Sequence, residues 1–357
     1  MTTEAAIDQA KMEAFVGKVL GDTSGLMTTV LAAIGDRLGL FKELAMNGPA
    51  TSAELAARAR VNERYTREWL GGMASAGYLE YAPASGRFSL PPEHAPVLAK
   101  EAGPVFFGGV HQEILGVLPV IPRVIEAFRR GGGVPQSAYG DDLYAGIERF
   151  TASWFENLLL PVWLPAVPTA QAKLERGCNV ADVGCGRGRA LIALAQAYPA
   201  SRYTGFDVHG PTIAQAQANA AAAGVADRVT FVQLDAAHGL PESYDLVTTF
   251  DVVHDAVDPR ALLRAIRAAL AADGLYLCLE INCSERLEEN AGPLGALFYG
   301  FSVLYCMTSS LAGGGEGLGT VGLPEPTLVT LCQEAGFGSI DRVALENPFN
   351  SLYVARA

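Results

Sequence analysis

The hydrophobic pattern of the chain changes about halfway along. In the first half, apolar residues recur every three or four positions, which is typical of amphipathic helices. The helices that this spacing predicts cover residues 4–20, 25–39, 104–130 and 140–160. Pro161, Pro165 and Pro168 should then break helical structure, because a proline inside a helix removes a backbone donor. We therefore expect a domain boundary at this point.

A compact module lies among these helices. Thr51 and Glu54 form a capping-box pattern, and Asn62 can cap the next helix. Two short alternating stretches at 78–81 and 87–90 then predict a small hairpin. The order helix, turn, helix, hairpin is typical of a winged helix.

From residue 178 onward, short apolar stretches alternate with helical segments. The predicted strands are 178–183, 202–207, 228–233, 244–250, 274–281, 339–345 and 350–356. The predicted helices are 187–198, 211–223, 258–271 and 325–336. This alternation predicts an α/β fold with a mostly parallel sheet and helices on both faces. Only Asn347-Pro-Phe separates the last two predicted strands, so this pair should be antiparallel.

Composition limits the classes of partner. The 357 residues include 26 basic and 38 acidic side chains, a net charge of −12, which disfavours general binding to nucleic-acid phosphates. We see neither a signal-peptide pattern at the start nor an uninterrupted apolar run of about 18 residues, so no membrane span is expected. The six cysteines form no CxxC pair and indicate a reducing, cytoplasmic location.

A glycine-rich turn follows the first predicted strand of the second half. Residues 182–188 read DVGCGRG, a G-x-G-x-G spacing at the start of a predicted helix. The phosphate-binding fingerprint G-x-G-x-x-G would need glycine at position 189, where this chain has Arg189. Glycines at such a turn let the backbone approach a ligand closely.

Two acidic residues follow the next strands. Asp207 ends the second strand, where an acid can accept hydrogen bonds from both ribose hydroxyls, and Asp235 follows the third. Either acid alone could simply cap a loop. Together with Asp182, at successive strand ends, they favour a binding site for a nucleoside that has a positive centre and no phosphates.

These motifs resemble class I S-adenosylmethionine-dependent methyltransferases over residues 175–357. The family's acid-x-Gly-x-Gly-x-Gly signature is matched at every defined position of 182–188. The resemblance implies a Rossmann-like seven-stranded sheet with an antiparallel terminal hairpin, S-adenosylmethionine as cofactor and S-adenosylhomocysteine as product. The residues that it places around the cofactor are Asp182, Gly184, Cys185, Gly186, Gly188, Asp207, Val208, Asp235, Ala236, Phe250 and Asp251.

A mainly helical winged-helix half joined to such a domain resembles small-molecule O-methyltransferases of plant and antibiotic pathways. This resemblance implies a dimerisation and substrate-lid domain over 1–168 and a methyltransferase domain over 169–357. It also implies a homodimer formed through the first domain. The apolar insertion at 282–324 is interpreted as a wall of the acceptor pocket, although an ordinary core or dimer helix would have the same composition.

His254 and Asp255 follow the fourth strand of the sheet. The resembled O-methyltransferases have a general-base histidine followed by aspartate here, and an imidazole is suited to taking a hydroxyl proton near neutral pH. His254 could instead be a packing residue, and Asp255 could orient the ring or cap the helix that begins near Asp258. No histidine stands at metal-ligand spacing from cysteines or acids, so no metal is expected.

Two other functions are compatible with the sequence. The winged helix alone could indicate a DNA-binding regulator with an S-adenosylmethionine-sensing domain, but residues 44–92 carry five Arg and four Glu, a weak charge for binding phosphates. An enzyme could also bind the cofactor without transferring its methyl group. The sequence leaves open whether an oxygen, nitrogen or carbon of the small-molecule acceptor is methylated.

Overall fold

The computed structural model describes residues 7–357. The chain forms two compact units, one ending at Leu115 and the other covering Gly116–Ala357. This division lies before the predicted boundary at 168. The reason is that residues of the intervening segment, including Phe155 and Trp163, join the hydrophobic core on one face of the second unit's sheet.

The first unit is helical and carries one small hairpin. Its helices are α1 (Gln9–Arg37), α2 (Leu40–Asn47), α3 (Ser52–Ala59), α4 (Glu63–Ser75) and α5 (Ala95–Leu98), and α6 (Gly108–Val117) crosses into the second unit. The prediction of separate helices at 4–20 and 25–39 is wrong for the described residues, because α1 is continuous. Thr23 and Ser24 donate their hydroxyls to carbonyls within the helix, so the polar stretch does not interrupt it. Residues 4–6 of that prediction lie outside the described residues.

The winged-helix prediction is confirmed. Thr51 and Glu54 form both hydrogen bonds of the capping box that starts α3, and Asn62 accepts backbone hydrogen bonds at the start of α4. Strands β1 (Glu80–Ala82) and β2 (Arg87–Ser89) pair antiparallel as the hairpin. The core of this unit includes Leu40, Phe41, Leu55, Trp69, Leu70 and Met73.

The second unit contains a further set of helices. They are α7 (Ile121–Arg130), α8 (Asp141–Trp154), α9 (Pro168–Arg176), α10 (Arg189–Ala197), α11 (Gly210–Ala222), α12 (Pro259–Ala269), α13 (Pro293–Phe301), α14 (Met307–Ala312) and α15 (Glu325–Glu334). The predicted helix at 104–130 is instead α6, a 3₁₀ turn at Leu118–Val120 and α7.

The prolines near residue 165 act differently from the prediction. Pro161 lies inside a π-helical segment, Phe155–Trp163, that continues directly from α8. A proline ring clashes with the carbonyl four residues earlier in an α-helix, and the wider π turn relieves that clash. Pro168 does not end a helix but begins α9, where no backbone donor is needed.

The sheet of the second unit has seven strands, as predicted. They are β3 (Asn179–Val183), β4 (Arg202–Asp207), β5 (Val229–Gln233), β6 (Tyr244–Phe250), β7 (Leu270–Ile281), β8 (Ser339–Arg342) and β9 (Asn350–Arg356). Their order is β5-β4-β3-β6-β7-β9-β8, with β3 to β7 parallel and β9 antiparallel to both neighbours. The chain reverses direction across the sheet between β3 and β6. In α/β sheets, ligands bind at the carboxyl ends of the strands beside such a reversal.

The insertion at 282–324 contains one long apolar segment. Pro293–Ala312 consists of α13, a π turn at Ser302–Cys306 and α14. Among the described residues, it is the one helix whose length and composition would allow it to cross a membrane, and 39% of its most apolar stretch is buried. Core helices of water-soluble proteins meet the same criterion, so this finding by itself is weak evidence for a membrane span.

Candidate functional site

The glycine turn lies at the carboxyl end of β3. Gly184, Gly186 and Gly188 have φ values of +69°, +53° and +81°, a backbone conformation that favours glycine. A side chain at Gly184 would lie 2.5 Å from Val252, and one at Gly188 would lie 2.4 Å from the ring of Phe231. The turn therefore packs tightly against its surroundings at both ends. At Gly186 the same position meets nothing within 4 Å, so the middle of the turn faces open space.

Asp207 closes this turn from the end of β4. Its Oδ2 accepts a hydrogen bond from the backbone N–H of Gly186 at 3.0 Å, and its Oδ1 accepts one from His209 at 2.9 Å. Burial raises the pKa of this carboxyl, and the two backbone donors oppose that effect. Each carboxylate oxygen has a second lone pair, so Asp207 retains acceptor capacity for a ligand diol.

The carboxylate of Asp182, the first residue of the signature, is hydrogen-bonded to a neighbouring strand of the sheet. Its side chain is buried, and Oδ1 accepts a hydrogen bond from Thr248 on β6 at 2.7 Å. Burial raises the pKa of Asp182 to about 7. Its placement connects β3 to β6 beneath the turn. Direct contact of this carboxylate with a cofactor stays a prediction.

Asp235 and Ala236, the residues predicted near adenine, follow β5, and the predicted cofactor residue Val208 follows β4. Asp235 accepts a hydrogen bond from the N–H of Ala237 and caps a 3₁₀ turn, and its side chain is half exposed. Ala236 is buried in the core. Val208 is exposed beside Asp207, and Cys185 is buried within the glycine turn.

Helix α8 lies against the glycine turn, and the sequence did not predict these contacts. Arg187, inside the turn, pairs with Glu148 at 3.0 Å and with Asp141. The ring of Tyr144 stacks on His209, with centroids 4.3 Å apart. Since the described contacts pair Arg187 with acids of α8, its charge is balanced there.

His254 lies in a 3₁₀ turn, Val253–Asp255, just after β6, and its side chain is 4% exposed. Its Nδ1 lies 2.6 Å from Oε2 of Glu280, and its Nε2 lies 3.2 Å from Oδ1 of Asp255. Glu280 is buried near the end of β7, and its Oε1 also accepts backbone N–H groups of the turn, at 2.7 Å from Val253. One carboxylate therefore fixes both the imidazole and the backbone that carries it.

Glu280 was not predicted from the sequence. It is 26 residues from His254 in the chain, inside an otherwise apolar strand. A charged side chain in a strand that is buried on both faces needs a partner. The position of Glu280 in such an apolar strand was therefore the one feature of the sequence that could have indicated its role. Asp255 does not cap α12, because Asp258 itself caps that helix through the N–H of Ala261. Asp255 instead lies beside the ring.

The electrostatic environment of His254 is dominated by these acids. Burial alone would lower the pKa of the imidazole, but the carboxylates of Asp255 and Glu280 outweigh it and raise the pKa well above its usual range. The two carboxylates therefore stabilise the protonated form of the ring. Once it loses a proton, it is a stronger base than a free histidine.

Phe250 and Asp251 complete the predicted set. Phe250 packs edge-on against Phe155, with centroids 5.0 Å apart, which places its ring against the core. Asp251 has a φ of +56°, and Nδ2 of Asn350 lies 2.9 Å from both of its carboxylate oxygens. Burial, with a smaller contribution from Glu280, raises the pKa of Asp251 to about 8. Cofactor contact by these two residues stays a prediction.

Comparison with known proteins identifies two domains. Residues 26–100 match the model of an Rv2258c-like winged HTH domain, and residues 181–276 match that of a methyltransferase domain. The combination of a winged helix with a methyltransferase domain, which the sequence predicted, is therefore confirmed.

Curated relatives match parts of the chain. An uncharacterized protein of a Synechococcus strain is 36% identical over 27% of this chain and 24% of its own length. A ubiquinone biosynthesis O-methyltransferase of Pseudomonas savastanoi pv. phaseolicola is 32% identical over 30% of the chain and 45% of its own length. The chain therefore spans less than half of these two proteins. The O-demethylpuromycin-O-methyltransferase of Streptomyces alboniger is 27% identical over 76% of the chain and 74% of its length.

Solved structures share the fold along almost the whole chain. A mitomycin 7-O-methyltransferase superposes with a TM-score of 0.69 at 18% identity, covering 98% of this chain and 100% of its own. Human N-acetylserotonin methyltransferase, solved with S-adenosylmethionine, gives a TM-score of 0.66 at 21% identity and covers 99% of each chain. At these identities the likeness shows the fold alone.

Proposed function

We propose that this chain, which joins a winged helix-turn-helix domain to a methyltransferase domain, transfers a methyl group from S-adenosylmethionine to a hydroxyl of a small molecule. The observation that carries the proposal is the imidazole of His254, held by Glu280 at 2.6 Å beside the glycine turn. Val252, two residues before His254, packs directly on Gly184. A base fixed next to a nucleoside turn is what hydroxyl methylation requires.

The cofactor side fits a nucleoside that carries a positive centre. The open space at Gly186 lies next to Asp207, whose carboxylate can accept the two ribose hydroxyls. Asp235 at the next strand end offers a further acceptor at the adenine side. Arg187, the cation of the turn, pairs with Glu148, and this pairing leaves its charge less available to a phosphate. When bound, S-adenosylmethionine supplies an electrophilic methyl group.

The residues around His254 supply a base and its orientation. Glu280 accepts a hydrogen bond from Nδ1–H and thereby directs Nε2 toward the acceptor, whose hydroxyl proton Nε2 takes. Asp255 stabilises the resulting imidazolium. Most of the rate enhancement should come from alignment of acceptor oxygen, methyl and sulfur, which contributes up to roughly 7–11 kcal/mol in well-oriented reactions.

The test is incubation with S-adenosylmethionine and a panel of small aromatic and natural-product alcohols, phenols, amines and carbon acceptors. We expect methylated product and S-adenosylhomocysteine in equal amounts with hydroxyl acceptors. Product without stoichiometric S-adenosylhomocysteine would indicate an enzyme that binds the cofactor without transferring methyl. Turnover with amines alone would overturn the hydroxyl assignment.

Homodimerisation through α1 is part of this proposal. Every described residue from 7 to 27 is exposed, although α1 carries an apolar stripe at helical spacing. The stripe consists of Met12, Phe15, Val16, Val19, Leu20, Leu26 and Met27. An uncovered helix with such a face is marginally stable in water, and the same stripe on a second copy is a self-complementary partner. We expect a dimer by ultracentrifugation that Phe15→Glu with Val19→Glu dissociates, whereas Lys18→Glu on the same helix does not.

The DNA-binding alternative has less support from the winged helix itself. Arg64 and Arg67 on α4 form ion pairs with Glu68 and Glu63, and Arg87 in the hairpin pairs with Glu54. Arginines already paired with carboxylates bind phosphate less well. Sequence-selective, nanomolar DNA binding at physiological salt would restore that alternative. The six cysteines are all free thiols, which supports a cytoplasmic location.

A further inference from the structure

The Nε2 side of His254 gathers three different metal-ligand atoms. A ring nitrogen of His254, a carboxylate oxygen of Asp255 and Sγ of Cys306 all lie within 4.8 Å of one another, and Nε2 is the nitrogen that faces Asp255. His254 and Cys306 are buried, and the Asp255 side chain is 21% exposed. We propose that these residues form a binding site for a single zinc ion that occupies the proton-accepting position of His254.

The distances distinguish the two sides of the imidazole. A tetrahedral zinc with bonds of about 2.0–2.1 Å holds two N/O ligands about 3.3 Å apart. Nε2 and Oδ1 of Asp255 are 3.2 Å apart, close to that spacing. Asp251 and Glu280 also approach the ring, but Nδ1 lies only 2.6 Å from Glu280. That distance fits a hydrogen bond and is too short for two ligands of one zinc ion, so the proposed site lies on the Nε2 side.

The surroundings resemble those that orient ligands in zinc sites. A zinc-binding histidine usually donates its other ring N–H to a carboxylate, and Glu280 occupies that position here. Oγ1 of Thr320 donates to Sγ of Cys306 at 3.0 Å, a contact that would stabilise a thiolate. Nitrogen, oxygen and sulfur in one set suit zinc better than magnesium or calcium, which prefer oxygen ligands.

The acid–base balance of binding is simple. Zinc binds the lone pair of Nε2 and the thiolate of Cys306, so any proton on either of these two atoms is released to solvent. No electron is transferred. Because Nε2 then cannot accept a proton, zinc should inhibit methyl transfer reversibly. Only this inhibition depends on the function proposed above; the binding itself does not.

The binding experiment uses the full-length chain after treatment with a chelator. Cobalt(II) reports the site, because a bound thiolate gives an intense charge-transfer band. Zinc affinity is then measured by competition with a chromophoric chelator. The variants are Cys306→Ser, Asp255→Asn and, as a matched control, Cys178→Ser, whose thiol lies beside Ser201.

We expect one ion per wild-type chain and an unchanged site in Cys178→Ser. Cys306→Ser should lose the cobalt band and bind zinc at least about 100-fold more weakly, since even the outer partners of metal ligands change affinity about 10–100-fold. Asp255→Asn should keep the band and bind more weakly. Equal zinc affinity in wild type and Cys306→Ser, or absence of binding in the wild type, would overturn the proposal.

An activity measurement separates this proposal from the proposed function. We expect zinc to inhibit wild type and Cys178→Ser, with recovery on adding chelator. In Cys306→Ser, zinc should leave the turnover that this variant shows without zinc unchanged, whatever that turnover is. If zinc binds through Cys306 but does not inhibit methyl transfer, the metal site stands and the base role of His254 fails.

Discussion

The glycine turn and the cluster around His254 lie side by side at the carboxyl ends of β3 and β6, but they are assembled differently. The turn is formed by seven consecutive residues, 182–188, and one acid from the next strand, Asp207. The cluster draws on a short turn, on Glu280 of β7 and on Cys306 of the insertion. The first region is determined mainly by the conformation of its backbone, whereas the second is determined by the positions of buried ionisable side chains.

This difference predicts that the two regions fail in different ways when altered. Loss of a residue in the turn should weaken cofactor binding, because in the proposed function the turn contacts the cofactor mainly through its backbone and Asp207. Loss of a residue in the cluster should reduce turnover and change its pH dependence, because the cluster sets the position and proton affinity of one ring.

The largest effect is expected for His254→Ala. Removing a positioned base typically lowers turnover about 10²–10⁴-fold. Cofactor affinity measured by calorimetry should stay within a few-fold of wild type, because the glycine turn is intact. His238→Ala, at a side chain that is 82% exposed, is the control and should retain full turnover. Full turnover in His254→Ala would reduce this residue to a packing role.

The next effect concerns the cofactor. Asp207→Ala should weaken S-adenosylmethionine binding about 100-fold or more, because a carboxylate that accepts two hydroxyls contributes about 1.5–3 kcal/mol per hydrogen bond. The variant also frees the N–H groups of Gly186 and His209. Asp235→Ala, at a half-exposed carboxylate, should cost less. Unchanged binding by calorimetry in Asp207→Ala would contradict the placement of the ribose.

Those two sites also show what the sequence could predict. A glycine signature and a strand-end acid are local, so 182–188 and Asp207 could be identified from the sequence. Glu280 and Cys306 could not, because their roles arise from sheet pairing and from an insertion whose path no periodicity reveals. The seven strands of the sheet could be predicted, because apolar stretches alternate with helical segments along the second half of the chain. The continuous α1 and the π turn around Pro161 depend on local hydrogen bonds and packing that composition does not specify.

The third prediction separates the two acids beside His254. The raised pKa of the ring means that kcat/KM should rise with pH, with an acid limb above the usual value of about 6.5. Asp255→Asn should move that limb to lower pH, because Asp255 contributes the largest charge effect that raises the pKa. Glu280→Gln should also move the acid limb to lower pH. Its loss of kcat should be larger than that of Asp255→Asn, because Glu280 is hydrogen-bonded to both the ring and the turn that carries it.

pH–rate profiles of the two variants beside wild type check this division of roles. Equal losses of kcat with unmoved limbs would show that neither carboxylate tunes the ring. A limb that shifts only in Glu280→Gln would assign both roles to Glu280.

The smallest effect concerns stability and the acid beneath the turn. Burial raises the pKa of Asp182 to about 7, so the folded protein prefers its neutral form. Stability from this group is present at low pH and is lost as pH rises from about 4, the unfolded value, to about 7. Asp182→Asn keeps an acceptor for Thr248 but cannot ionise. It should therefore equal wild type near pH 4 and be more stable at pH 8, by at most about 4 kcal/mol.

Urea unfolding across this pH range measures the difference, with Asp235→Asn as the half-exposed control that should show no such gain. A gain at pH 8 without a change in turnover would place Asp182 in the support of the glycine turn. If Asp182→Asn instead lost cofactor affinity at every pH without gaining stability, its carboxylate would contact the ligand. Asp182 would then belong to the ligand-binding part of the turn, although its hydrogen bond with Thr248 places it in the support of the turn.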